Sequence, residues 1–306
     1  MNATDDAIAV VDLSEWRENA DEKVALQLTD SFRRTGFAYV TGHGVPMETI
    51  SGAFDAARRF FHQDPAELDA VHYRHANKYH GYVPPGLTPA ALHELYDCGM
   101  EIPTTYEGPG EVLQATPNLW PPKLPEFRPA IQRYQAAVRE LADSALGAIA
   151  YGMSLPTDFF KVRCEQPHAQ MRLLHYLQAP ETPEDVFSVG RHRDYEVVTV
   201  LAQDAVGGLQ VRGREKQWIE VPPIEGALML NSGDAMARWT NGVIPATPHR
   251  VVSPKNDERF AIAFFYATSY DVVIEPVVEK DRADAPTYEP ITTGAYMWKR
   301  FTEEGI

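Results

Sequence analysis

The chain has 306 residues, 44% of them hydrophobic and 23% charged, the make-up of one ordinary globular domain or of a core with an attached helical region. Its formal net charge of -15 argues against nucleic acid or an anionic membrane surface as the main partner. No apolar run approaches a membrane span, and two cysteines, Cys98 and Cys164, cannot make a disulfide framework. The start, Met1 to Asp6, has neither a basic segment nor an apolar core, so a secretory leader is not expected. The expectation is a cytoplasmic protein, monomeric by default, with a small molecule as its partner.

In chain order, Ile8 to Leu13 reads as a short strand ended by Ser14. Val24, Leu26, Leu28 and Phe32 predict a helix over 21–34, stopped by Gly36. Phe37 to Val40 is a strand, and Gly42-His43-Gly44-Val45-Pro46 is a break in which His43 has a structural role. A second helix runs from 47 to 62 with Ile50, Phe54, Ala57, Phe60 and Phe61 on one side, and Asp64-Pro65 opens a short third. Residues 72–124 are rich in Gly and Pro. Their histidines, His72, His75, His80 and His93, match no common ligand spacing and are expected to be solvated or hydrogen-bonded in loops. A long helix over 126–151 carries Ile131, Tyr134, Val138, Leu141, Leu146 and Ile149 at helical spacing. From Gln170 to about Ile274 short strands alternate with turns, which implies a sandwich or jelly roll, and residues 293–301 read as a terminal helix.

Chemistry concentrates in Gly190-Arg191-His192-Arg193-Asp194-Tyr195. If that run is a strand, His192 and Asp194 point to one face and project side by side. A third group, His249, opens the apolar run His249-Arg250-Val251-Val252. Among ten histidines a chance His-x-Asp is common, so the pair alone identifies nothing. Two histidines and one carboxylate on one face of a metal, with other positions open, make the ligand set of non-haem Fe(II) oxygenases.

The chain downstream of the pair raises its meaning. Gly207-Gly208-Leu209-Gln210-Val211, then Gly226 to Asp234, Arg238-Trp239-Thr240-Asn241-Gly242, Thr247-Pro248-His249-Arg250-Val251 and Arg259-Phe260-Ala261 come in order. With Gly36-Phe37-Ala38-Tyr39-Val40-Thr41-Gly42-His43-Gly44-Val45-Pro46 near the start, this series resembles the 2-oxoglutarate- and Fe(II)-dependent dioxygenases of the isopenicillin N synthase-like family, over nearly the whole chain.

The resemblance implies a mainly β fold with flanking helices around a double-stranded β-helix (jelly-roll) core. Residues 1–120 would form an N-terminal α/β region packed on the core. Residues 121–306 would supply the bracing helix, the core and the C-terminal helix. It implies His192, Asp194 and His249 as iron ligands, with Fe(II), 2-oxoglutarate and O2 as cofactors. Arg259 would receive the far carboxylate of 2-oxoglutarate, with Tyr176 hydrogen-bonded to the cosubstrate. Arg172, Tyr79, His80, Tyr82 and Phe265 would be substrate contacts.

Three positions depart from the family pattern: Ala261 stands where a serine usually assists the arginine, Leu174 where asparagine is common, and Leu177 where proline is common. An aspartate at 194 disfavours halogenation, which needs a small residue there. The implied activity is oxidation of an unactivated C–H of a small metabolite or natural-product intermediate, most simply hydroxylation, with succinate and CO2 released. The competing expectations are a 2-oxoglutarate-independent iron oxidase of the isopenicillin N synthase kind, ethylene-forming fragmentation of 2-oxoglutarate, and a non-enzymatic ligand-binding protein.

Overall fold

Most of the first elements match their sequence signals closely, and the short helix at Ser14–Asn19 is an addition to those expected from the sequence. In the computed structural model, which describes residues 7–303 apart from 77–78, 87–91, 103–105, 180–186 and 278–287, the chain opens with Val10–Asp12 (β1), Ser14–Asn19 (α1), Glu22–Thr35 (α2) and Phe37–Thr41 (β2). Helix α2 starts where the Asp21 side chain accepts from the Lys23 N–H at 2.7 Å, and it ends at Gly36 with φ 72°. A Cβ at Gly36 would stand 2.6 Å from the Pro245 carbonyl, so space and φ both demand glycine. Met47–Phe61 (α3) and Pro65–Ala70 (α4) come next, then Gly81–Val83 (β3), His93–Gly99 (β4), Glu111–Ala115 (α5) and Phe127–Gly152 (α6).

The remaining chain supplies Pro167–Tyr176 (β5), Phe187–His192 (β6), Val198–Gln203 (β7), Leu209–Arg212 (β8), Trp218–Glu220 (β9) and Leu228–Ser232 (β10). Asp234–Trp239 (α7), His249–Val252 (β11), Arg259–Ser269 (β12), Val273–Ile274 (β13), Ile291–Thr292 (β14) and Thr293–Glu303 (α8) complete it. One eight-stranded sheet has the order β1-β2-β10-β7-β12-β5-β4-β3, and a four-stranded sheet has the order β6-β11-β8-β9.

Period-two alternation divides the interior in two. On β12, Phe260, Ile262, Phe264 and Tyr266 join the core formed with α2, α3 and α6, including Phe32, Phe60, Tyr134 and Val138. Burying each such aromatic contributes roughly 1.5–3 kcal/mol. The alternate residues Arg259, Ala263 and Phe265 face the space between the sheets, where Ala261 packs with Leu174, Leu209 and Val251. The jelly-roll expectation therefore holds, and the functional cavity lies inside the roll.

The N-terminal residues are woven into the large sheet, because β1 and β2 flank it at one edge while β4 and β3 flank it at the other. Two expectations are corrected. Residues 72–124 are not only loops: β3 and β4 extend the large sheet beyond β5. The His-x-Asp pair does not lie in one strand, since β6 ends at His192, Asp194 sits in a connection, and β7 begins at Val198. The chain crosses there from the small sheet to the large one, so the two ligand types come from different surroundings.

Candidate metal and cosubstrate site

The crossing brings His192, Asp194 and His249 together. His249 opens β11 and pairs directly with His192 at the end of β6. Their rings stand 4.2 Å apart, and Asp194 Oδ1 lies 3.7 Å from His192 Nε2 and 3.5 Å from His249 Nε2. All three ligand atoms fall within 4.8 Å of one another. Those separations exceed hydrogen-bonding range and suit a metal ion about 2 Å from each donor.

The atoms on the far side of each ligand are occupied. His192 Nδ1 is 2.9 Å from the Gly190 carbonyl and His249 Nδ1 is 3.2 Å from the Thr247 carbonyl, so each Nδ1–H donates to backbone and each Nε2 faces inward. Asp194 Oδ2 accepts from Thr199 Oγ1 at 2.5 Å and from Asn231 Nδ2 at 2.6 Å, leaving Oδ1 for the centre. Thr199 and Asn231 are directly opposed residues of β7 and β10, so the register of the large sheet orients the carboxylate. Burial pushes His249 down to about 4, which keeps the imidazole neutral. Burial raises Asp194, but the two histidines and its two hydrogen bonds outweigh it and hold the carboxyl below its ordinary value. A neutral imidazole and an ionised carboxylate are the protonation states a metal requires.

Arg259 is the other unusual group. It is 1% exposed, its guanidinium lies 4.5 Å over the Tyr176 ring, and its β12 position pairs directly with Tyr176 on β5. Nη2 donates to Gln203 Oε1 at 3.3 Å, and among the described residues Nε and Nη1 have no hydrogen-bond partner and no carboxylate pairs with the guanidinium. A buried unpaired cation is costly, so this arrangement fits a site completed by an anion. Gln203 lies directly across from Ala261 in the β12–β7 register. Its amide therefore supports the arginine from the position facing the missing serine hydroxyl.

The cavity between the sheets has a volume of about 120 Å³, and it gathers the triad, Arg259, Tyr176, Arg172 and Phe265. Arg172 Nε and Nη2 form a two-point pair with Asp97 at 2.8 Å each, and its guanidinium stands 5.7 Å from the Phe265 ring. Three other expected contacts lie elsewhere. Tyr79 and His80 line a separate cavity of about 30 Å³ with His168 and Tyr270. Tyr82 donates to Glu94 and packs its ring on Phe60, because alternation on β3 turns it toward the helices.

The structure adds participants that carry no sequence signal. His93, expected in a loop, begins β4 and lines the cavity beside Tyr176, where burial pulls it down to about 4. Thr199, Asn231 and Gln203 are likewise silent in the sequence. Asn231 sits in the Asn-Ser-Gly-Asp run, where Asp234 is the more conspicuous residue, yet Asp234 opens α7 with its N–H on the Asp194 carbonyl and its side chain bonded to Tyr296.

Known families place this geometry in its class. Residues 167–268 match the 2OG-Fe(II) oxygenase superfamily, and residues 8–123 match the N-terminal family of the non-haem dioxygenase in morphine synthesis. The chain belongs to the 2-oxoglutarate- and Fe(II)-dependent oxygenases, and its cofactors are Fe(II), 2-oxoglutarate and O2.

Within that class it is 31% identical to a homoarginine-6-hydroxylase of Glycine max, over 92% of each chain. It is 33% identical to the 2-oxoglutarate-Fe(II) type oxidoreductase hxnY of Emericella nidulans, over 90% of this chain and 85% of that one. Among solved structures, a full-length Neurospora crassa protein in complex with alpha-KG and thymine superposes with a TM-score of 0.87 at 27% identity, covering 99% of each chain. The protein is an Fe(II)/2-oxoglutarate oxygenase. Among the described residues no helix is long and apolar enough to cross a membrane.

Proposed function

We propose that His192, Asp194 and His249 hold the iron, that Arg259 and Tyr176 hold 2-oxoglutarate, and that the enzyme hydroxylates a small neutral or anionic metabolite. The observation that carries the cosubstrate assignment is Arg259, buried without a carboxylate partner in the same cavity as the triad. A guanidinium is suited to two-point capture of a carboxylate. When bound, iron and 2-oxoglutarate activate O2 for C–H oxidation, with succinate and CO2 released. The protein's own part is to orient and to exclude. Asn231 and Thr199 fix the carboxylate ligand, the backbone carbonyls fix both imidazoles, and Gln203 and the Tyr176 ring fix the arginine.

The substrate class rests on the lining. Asp194 is the one carboxylate among the described residues lining the cavity, and it faces the metal position, whereas Arg172 and His93 line the remainder. A cationic substrate of the homoarginine kind finds no spare acidic partner there among the described residues, since Asp97 is committed to Arg172. Phe265 supplies an apolar wall. The buried free thiols Cys98 and Cys164 support a reducing, cytoplasmic setting, and a monomer is the simplest working state.

Anaerobic titration of the Fe(II) protein with 2-oxoglutarate tests the reading. A saturable visible charge-transfer band, lost in Arg259→Ala, is expected. Iron binding without the band would overturn the cosubstrate assignment, and failure to bind iron would overturn the ligand assignment.

A further inference from the structure

A second and larger concavity lies beside the metal position. It has a volume of about 710 Å³, against about 120 Å³ for the catalytic cavity. Its walls are the end of α2, the β8–β9 hairpin, the chain on either side of His192, and the segment that leads into His249. They carry Arg33, Arg34, Arg191, Arg193, Arg212, Arg214 and Lys216, and no aspartate or glutamate among the described residues. The whole chain has 28 basic and 43 acidic residues in 306, so an even spread would put about two of each sign in a lining of this size. Seven cations with no acid among the described lining residues is a local reversal of a net charge of -15.

Three of these seven cations are uncommitted to acids among the described residues. Arg34 is paired with Asp30 at 3.0 Å, whereas Arg191, Arg212 and Lys216 make no ion pair among the described residues. Arg193 feels Asp234 from the neighbouring helix α7. A cleft lined by one sign of charge concentrates its field and raises the local concentration of counter-ions. Arginine forks match the oxygens of phosphate and carboxylate two at a time.

The cleft also adjoins the catalytic cavity through residues that neighbour the ligands in the chain and in the sheet. Arg191 and Arg193 flank His192, Thr247 and Pro248 precede His249, and Val211 on β8 pairs with His249 while Leu209 on the same strand lines the catalytic cavity. The cleft has the size of a ligand pocket, and the catalytic cavity has about a sixth of that volume.

We infer that this cleft binds a multiply charged oxyanion, a group of clustered phosphates, next to the catalytic centre. The same chemistry reaches the cleft from two sources: as an arm of the substrate, whose oxidisable end then enters the small cavity, or as a free anion. The anion site itself does not depend on the iron and cosubstrate assignment. Only the substrate-arm source rests on it.

Tripolyphosphate is the probe, with calorimetric titration of the full-length protein in 50 and 200 mM NaCl. One saturable site is expected, weakened at least tenfold by the added salt. Arg212→Glu/Lys216→Glu should weaken it at least thirtyfold while the Fe(II)/2-oxoglutarate charge-transfer band persists. Should that variant lose the band through misfolding, Arg212→Gln/Lys216→Gln replaces it, with an expected loss of about tenfold. Absence of saturable binding at 50 mM NaCl, or equal affinity in the folded variant, overturns the proposal.

Succinate release then separates the sources. Faster release with coenzyme A thioesters than with the matching free acids, reversed competitively by tripolyphosphate, assigns the cleft to a substrate arm. Tripolyphosphate binding that leaves both rates unchanged assigns it to a free anion.

Discussion

Two clusters in this molecule have the same ingredients, two histidines and one carboxylate with ligand atoms within 4.8 Å of one another: His192, Asp194 and His249, and His62, His175 and Glu258. What differs is where the second nitrogen of each ring goes. In the first cluster each Nδ1 is spent on a backbone carbonyl, and each Nε2 faces Asp194 from 3.5–3.7 Å. In the second, His175 touches carboxylates with both nitrogens, Glu94 at 2.7 Å and Glu258 at 2.8 Å, and His62 reaches Glu258 at 3.0 Å. Protons already fill the second cluster, and a gap of metal size defines the first. Ligand composition is therefore a weak guide, and the partners behind the ligands decide.

The sharpest way to break this contrast is to remove one ligand from each cluster. His249→Ala should abolish iron-dependent succinate formation while the protein stays folded, whereas His62→Ala should leave iron stoichiometry and turnover within about twofold of wild type. Equal loss from both variants would mean that the second cluster also carries the metal. Next in size is Arg259→Ala, which strips the cavity of its buried cation. Losing one partner of a buried charge pair costs roughly 2–5 kcal/mol. The 2-oxoglutarate KM should rise by about thirtyfold or more. An unchanged KM would show that Arg259 does not meet the cosubstrate.

The sequence discloses the first cluster and hides the second, for a physical reason. His192, Asp194, His249 and Arg259 sit in local patterns that can be read within a few residues. Helix α6 is equally legible, because Ile131, Tyr134, Val138 and Leu141 repeat at helical spacing and all are buried. Strand β4 is not. Its sequence His-Glu-Leu-Tyr-Asp-Cys-Gly places Glu94 and Asp97 in the interior, and their partners, His175 and Arg172, lie some eighty residues away. Tyr82 reads as a mouth residue for the same reason, since its facing is set by pairing with β4 rather than by its own neighbours. Gln203, Thr199 and Asn231 carry no motif at all, and only strand register shows what they support.

A finer test asks whether those register partners matter to the metal. Asn231→Leu or Thr199→Val removes one hydrogen bond from Asp194 Oδ2 and leaves all three ligands in place. Loss of such a partner typically weakens metal affinity by about 10–100-fold. Competition for Fe(II) with a chelator reads this directly. Affinity within twofold of wild type in both variants would show that the carboxylate is oriented by its backbone alone.

The smallest effect expected belongs to the second cluster, and it is one of pH. Burial pulls the His175 pKa down, but its bonds to Glu94 and Glu258 and their charges outweigh that and leave it above the ordinary 6.5. Arg58, which lies 5.4 Å over the Phe260 ring that stacks on His175, and His62 also face this group, and Tyr82 bonds the far side of Glu94. A histidine whose folded pKa is raised stabilises the fold fully below its unfolded value and ceases to do so as pH climbs through the folded value. The Tm advantage of wild type over His175→Gln should therefore be largest at about pH 6 and should shrink steadily as pH rises above 6.5. Carrying no proton to lose, the variant keeps a flatter Tm profile. An advantage that stayed constant from about pH 6 to 9 would mean that His175 is neutral in the fold, held there by packing on Phe260 rather than by charge. The contrast between a cluster closed by protons and one open to a metal would then fail on its second half.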